Sequence, residues 1–135
     1  VVGVARCTVL VRDLHRTGEV RATAEAMGVA LDLAQLDVDA PGLAADLVVS
    51  TLPRGAADPL AAHAWRAGQA VLDVVYDPWP TPLAVAAAAA GARVLSGALM
   101  LLHQAAAQVT LMTGEEAPVS AMRAALEAAS PGCGV

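Results

Sequence analysis

The sequence predicts an α/β fold built on a mainly parallel sheet with flanking helices, and three observations carry that expectation. Short runs rich in Val and Leu alternate with longer, Ala-rich segments. The runs are separated by stretches long enough for crossover helices and too long for hairpins. Hydrophobic residues make up 57% of the chain while aromatics are only 2%, so the core is one of small aliphatics on which helices pack closely. At 135 residues there is room for one domain with a single core.

Each element has its own signal. Thr8 to Val11 is a β-branched run bracketed by Arg6 and Arg12. Arg16 through Met27 reads as a helix, with Gly28 placed to end it. Val29 to Leu33 is a second strand, and Asp37 to Gly42 a loop rich in Asp, Pro and Gly. Asp46 to Ser50 is almost continuously apolar, as expected for a strand covered on both faces. Asp58-Pro59 opens a helix running toward Gly68, a polar residue followed by Pro being a common helix start. Ala70 to Tyr76 is the strongest strand, and Thr81-Pro82 repeats the cap-and-Pro device before a run of alanines ending near Gly91. Arg93 to Leu95 is a last short strand. Helices over about 98–112 and 118–129 close the chain, and two helices with no strand between them suggest packing against something other than the sheet.

Composition removes several functions. The net charge is −5 and no basic stripe exists, which disfavours nucleic acid and anionic membrane surfaces. The longest apolar run, Pro82 to Ala92, has eleven residues and is mostly Ala, whereas a membrane span needs about twenty. No leader pattern opens the sequence, and Cys7 and Cys133 are far apart with no CxxC pair. A cytoplasmic domain without a metal site is expected. No P-loop, nucleophile elbow or paired-carboxylate arrangement is present.

Four segments bear groups suited to ligand binding. Arg12 and Arg16, four residues apart after the first strand, suit a phosphate monoester clamped from two sides; Asp13 between them suits a free ribose diol instead. An ordinary solvated charge cluster fits the same pattern. Ser50-Thr51-Leu52-Pro53 leaves the carboxyl end of a strand, where open α/β sheets bind ligands, and is equally readable as a turn. Asp73-Val74-Val75-Tyr76-Asp77-Pro78 presents a phenol on a Pro-stiffened loop, or a structural Tyr. On the long helix Met100, Gln104, Ala107 and Leu111 share a face, so Gln104 interrupts an apolar stripe and needs a polar partner. His103 points elsewhere and reads as structural.

In order and spacing these segments resemble the second half of the shikimate dehydrogenases, from Val2-Gly3-Val4-Ala5-Arg6 to the last helix. The D-x-x-Y-x-P…TPL block (Asp73 to Leu83) and the G-x-x-M-L-x-x-Q block (Gly97 to Gln104) are its most specific parts. The resemblance implies a Rossmann-like domain that binds NADP and takes part in reducing 3-dehydroshikimate to shikimate, a step toward chorismate and the aromatic amino acids. It places Arg12 and Arg16 at the NADP 2′-phosphate, Ser50, Thr51 and Leu52 along the cofactor, and Val74, Gly97 and Met100 around the nicotinamide. Tyr76 and Gln104 fall at the shikimate hydroxyls or carboxylate. Val11 and Asp13 depart from the family's N-R-T pattern, which leaves NAD, and a quinate-using relative, as alternatives.

The resemblance also implies what other residues supply. The family's catalytic Lys and Asp belong to an N-terminal substrate domain, so no catalytic residue is expected within residues 1–135. The glycine-rich turn and first strand of the dinucleotide fold have no counterpart either, so the strands at Thr8 and Asp46 are each expected to lack one neighbour. The whole is expected to be a partial dinucleotide-binding domain whose segment from about 98 to 135 packs toward the N-terminal domain. A homodimer filling the vacant slot, or a non-catalytic binding module, is the alternative arrangement.

Overall fold

The computed structural model describes residues 6–135. The opening of the family-like stretch, Val2 to Ala5, lies outside the described residues. The chain forms two compact units, Val1–Ala45 and Asp46–Val135. Each is a parallel sheet with flanking helices, so the α/β expectation holds.

In the first unit, β1 (Cys7–Val11) and β2 (Leu31–Gln35) pair in parallel, Cys7 opposite Leu31 and Val11 opposite Gln35. The crossover is α1 (Gly18–Ala26), which starts two residues later than the predicted Arg16. Leu14–Arg16 is instead a 3-10 turn, because the Thr17 hydroxyl donates back to the Leu14 carbonyl at 3.0 Å and closes the turn on itself. The end of α1 explains why β2 begins at Leu31 rather than at Val29. Gly28 takes φ +63 and donates to Glu25, while the Val29 amide donates to Ala24 at 2.9 Å, so Val29 serves the helix end before the strand.

In the second unit, β3 (Leu47–Ser50), β4 (Ala70–Asp73) and β5 (Arg93–Ser96) form a parallel sheet in the order β3-β4-β5. Register aligns Val48, Val71 and Val94 in one row and Ser50, Asp73 and Ser96 in the next on the same face. That face lies under α2 (Pro82–Ala89), whose Leu83 and Ala87 are buried with Val71. Thr81 caps α2 as predicted, accepting from the Ala84 amide at 3.2 Å. The other face carries Leu47, Val49, Leu72 and Leu95. There the expectation of a strand covered on both sides fails, since Leu47 and Val49 are 44% and 48% exposed.

Two further expectations are corrected. Asp58–Ala62 is only a 3-10 turn, and Asp58 provides no side-chain cap. The buried Trp65 ends it: its indole Nε1 donates to the Leu60 carbonyl at 2.9 Å, and His63 is already extended. β4 stops at Asp73, not at Tyr76, because the Asp73 carboxylate takes the Val75 amide and turns the chain out of the sheet. The closing helices α3 (Gly97–Thr113) and α4 (Val119–Ala129) pack on each other, and α3 also leans on β5.

Candidate functional site

In the first unit the turn leaving β1 is pinned at both ends. Gln35 Nε2 donates to the Arg12 carbonyl at 2.8 Å, and Asp13 Oδ1 accepts from the His15 amide at 2.9 Å. The Asp13 carboxylate therefore caps the turn. Arg12 and Arg16 are exposed, and among the described residues neither has an ion-pair partner. Two guanidiniums held on a fixed turn without carboxylate partners are suited to a multiply charged anion.

In the second unit the predicted residues gather at the carboxyl ends of β3, β4 and β5. Ser50, Asp73 and Ser96 form one buried polar row there. Ser50 Oγ is enclosed without a hydrogen-bond partner, a polar atom that a dry site would not leave unmet. Thr51 is exposed and Leu52 half-buried on the loop that follows. Val74 still donates to the Ser50 carbonyl at 3.0 Å, which keeps the start of the Tyr76 loop beside β3.

Gly97 makes the tightest approach. A Cβ there would overlap the Val74 carbonyl, its carbon at 2.5 Å and Val74 Cα at 3.0 Å. Only a glycine lets α3 start against the Tyr76 loop. Ser96 Oγ accepts from the Leu99 amide at 3.2 Å, capping α3, and donates to the Gly134 carbonyl at 2.8 Å, fastening the C-terminal tail. Asp73, Thr81 and Ser96 were not candidates for the site from sequence. Their side chains face inward; the row that unites Asp73 with Ser96 depends on register, and Thr81 joins it through a hydrogen bond to Asp73.

Tyr76 is 40% exposed on its loop. Gln104 does not interrupt a buried stripe. The inward side of α3 is Ala98, Leu102 and Ala106, whereas Met100, Gln104, Ala107 and Leu111 face outward. The amide is thus free to meet a ligand without any buried demand. Met100 also lines an open groove of about 470 Å³ over the uncovered sheet face, with Leu72, Arg93, Leu95, Leu99 and His103. Tyr76 and Gln104 do not line that groove, so the apolar hollow and the polar candidates are not one pocket. Among the described residues no cluster of His, Cys, Asp and Glu is suited to a metal ion, and no helix is long and apolar enough to cross a membrane.

Parallel strands joined within each sheet by crossovers, with polar groups at their carboxyl ends, define a Rossmann-like α/β fold. Comparison with known proteins makes this specific. Residues 97–127 match the family model described as the shikimate 5'-dehydrogenase C-terminal domain. The NADP(+) shikimate dehydrogenase of Moorella thermoacetica is 46% identical over 98 residues, 66% of this chain and 33% of that protein. The same enzyme of Halobacterium salinarum is 53% identical over 70 residues, 52% of this chain and 26% of that protein. The crystal structure of Mycobacterium tuberculosis shikimate dehydrogenase superposes with TM-score 0.80 at 43% identity, covering 94% of this chain and 48% of that one. A quinate dehydrogenase from Corynebacterium glutamicum in complex with NAD gives TM-score 0.75 at 31% identity, over 93% of this chain and 47% of that one. The chain belongs to the shikimate dehydrogenase family and matches its C-terminal half. It spans about a third or less of these curated relatives and about half of these solved chains.

Proposed function

We propose that these residues are the cofactor-binding half of an NADP-dependent shikimate dehydrogenase, which interconverts 3-dehydroshikimate and shikimate by reversible hydride transfer. The observation that carries this reading is the seating of the Asp73–Leu83 block on the Gly97–Gln104 block through the Val74 carbonyl and Gly97. The two most specific family segments are thereby held against each other at adjacent strand ends.

In this reading Arg12 and Arg16 hold the 2′-phosphate by charge-assisted hydrogen bonds. Ser50, Thr51 and Leu52 line the cofactor, and the unmet Ser50 hydroxyl fits a polar ligand or its water close by. Val74, Gly97 and Met100 flank the nicotinamide and keep water from it. Bound NADP supplies the hydride-accepting ring. Tyr76 and Gln104 exchange hydrogen bonds with the hydroxyls or carboxylate of shikimate. The proton at the reacting hydroxyl is handled by the Lys and Asp of an N-terminal catalytic domain, the partner that the outward face of α3 awaits.

A second reading, NAD with quinate or shikimate, has its own observation in Asp13, a carboxylate at the ribose position, and in the likeness to the NAD-bound quinate dehydrogenase. The bond from His15 to Asp13 favours the first reading, because it turns one carboxylate oxygen to the backbone. Thermal melts with each cofactor decide between them. A ligand binding only the folded state at about a hundred times its Kd adds roughly 2.7 kcal/mol. A rise with NADP+ that exceeds the rise with NAD+ and shrinks with salt is expected; an equal or larger rise with NAD+ would favour the second reading. Shikimate-dependent NADP+ reduction by the chain joined to an N-terminal half from the family tests the activity itself, and its absence would overturn the proposal.

A further inference from the structure

Asp73 is wholly buried, at 0% exposure, and among the described residues no Lys, Arg or His pairs with it. Burying a carboxylate is costly, and an apolar residue would suit the interior of the sheet better. Its bonds show what it achieves. Oδ2 accepts from Thr81 Oγ1 at 2.8 Å, and Oδ1 accepts from the Val75 amide at 3.3 Å. The Thr81 hydroxyl has one proton and gives it to Asp73, while its oxygen accepts from Ala84 at the start of α2. One carboxylate thus ties the end of β4 to the start of α2, and the segment between them carries Tyr76.

The same segment is fixed from outside by the Val74 carbonyl against Gly97, the first residue of the helix that bears Gln104. Asp73 does not spend its bonds on the sheet: its register partner Ser50 keeps a hydroxyl without a partner. The carboxylate is directed to the loop.

We propose that Asp73 is a positioning residue that acts through Thr81 to fix Tyr76 relative to Gln104, and so sets recognition of the polyhydroxylated carboxylate substrate. This rests on the reading of Tyr76 and Gln104 given above. It assigns Asp73 and Thr81 a part in substrate affinity although neither side chain reaches the surface.

Tyr76 is the single tyrosine of the chain, so fluorotyrosine labelling gives one fluorine resonance that reports its surroundings. In the parent chain and in Thr81→Ser, which keeps the hydroxyl, that resonance is expected away from its value in the denatured chain. In Thr81→Val, folded by circular dichroism, it moves toward the denatured value. Titration of shikimate into each variant joined to an N-terminal half from the family should show at least about tenfold weaker binding for Thr81→Val than for the parent, the scale of loss that misplaced groups produce, with NADP+ affinity changed by less than about twofold. Thr81→Ser should bind like the parent. Should Thr81→Val not fold, Asp73→Asn, which leaves the cap of α2 intact, takes its place in both measurements. A lowered melting point with an unmoved Tyr76 resonance would overturn the proposal, leaving Asp73 and Thr81 a purely structural pair. A Thr81→Ser variant as defective as Thr81→Val would overturn it too. A joined parent chain indifferent to shikimate would count against the functional reading of Tyr76 and Gln104, while the resonance still decides the clamp.

Discussion

Replacing Gly97 by Ala is the perturbation whose consequence the structure fixes most directly. The new Cβ would stand 2.5 Å from the Val74 carbonyl carbon and 3.0 Å from its Cα, and would overlap the oxygen. Carbon atoms pack at about 3.5–4.0 Å, so the Tyr76 loop and the first turn of α3 must separate by about 1 Å. Neither side yields cheaply. Val74 is tied to Ser50 through its amide, and the first turn of α3 is tied to Ser96 and the Gly134 carbonyl. Overpacking of this kind costs about 1–3 kcal/mol. For a unit of this size that lowers the melting midpoint by roughly 5–20 °C. The helix gains from Ala over Gly at most about 1 kcal/mol in return, and less at a first position. Gly18, the first residue of α1, is the control: a Cβ there meets nothing within 4 Å, and Gly18→Ala should leave the midpoint unchanged or slightly raised. Thermal circular dichroism on both variants makes the comparison. A Gly97→Ala chain melting within about 2 °C of the parent would refute the reasoning, because the Val74–Gly97 seat would then not be tight.

Three other outcomes are expected. Val71→Thr puts a hydroxyl beneath α2 with no partner and should cost about 1–3 kcal/mol, whereas Val49→Thr on the uncovered face should stay within about 0.5 kcal/mol; urea unfolding distinguishes them. Arg12→Ala or Arg16→Ala should each weaken NADP+ by about ten- to a hundredfold while leaving NAD+ nearly unaffected, as read by titration calorimetry; equal losses for both cofactors would remove the 2′-phosphate assignment. Ser96→Ala loses the α3 cap and the tail bond together, about 1–2 kcal/mol, and should expose the buried Cys133 to thiol reagents at a rate closer to that of the half-buried Cys7.

Much of the fold was legible because it rests on local chemistry. Thr81-Pro82 caps α2, Gly28 ends α1, and the predicted runs at 8–11, 46–50, 70–76 and 93–95 each contain a strand, although the third stops three residues short. The failures are tertiary overrides. Nothing local in Asp58-Pro59 announces that Trp65 will bend back to the Leu60 carbonyl and stop the helix. Val74 and Val75 have strand propensity, yet one carboxylate at Asp73 outbids it. The helical face of Met100, Gln104 and Leu111 was found correctly by periodicity, but periodicity cannot say which of two apolar faces turns inward, and Leu102 and Ala106 do. Motif order singles out Tyr76 and Gly97; the contact between Val74 and Gly97 that joins their segments is tertiary and leaves no local signal in the sequence.

The position of the candidate site follows from how these strands end. Ser50, Asp73 and Ser96 are the last residues of β3, β4 and β5, in one row and on one buried face. In the middle of a sheet such groups would find backbone donors already paired along the ladder. At the last residue the chain leaves the sheet, and the amides that follow are released. Asp73 takes Val75, and Ser96 takes Leu99. The polar side chain is satisfied only because the backbone turns, and the turn is held only because the side chain is polar. Each such pair launches a segment in a fixed direction, the Tyr76 loop from one strand and α3 from the next. Ser50 is the informative exception, for its hydroxyl finds no amide and its loop, Thr51-Leu52, begins without that anchor. The least anchored of the three strand ends is therefore the one most free to adjust to a bound ligand.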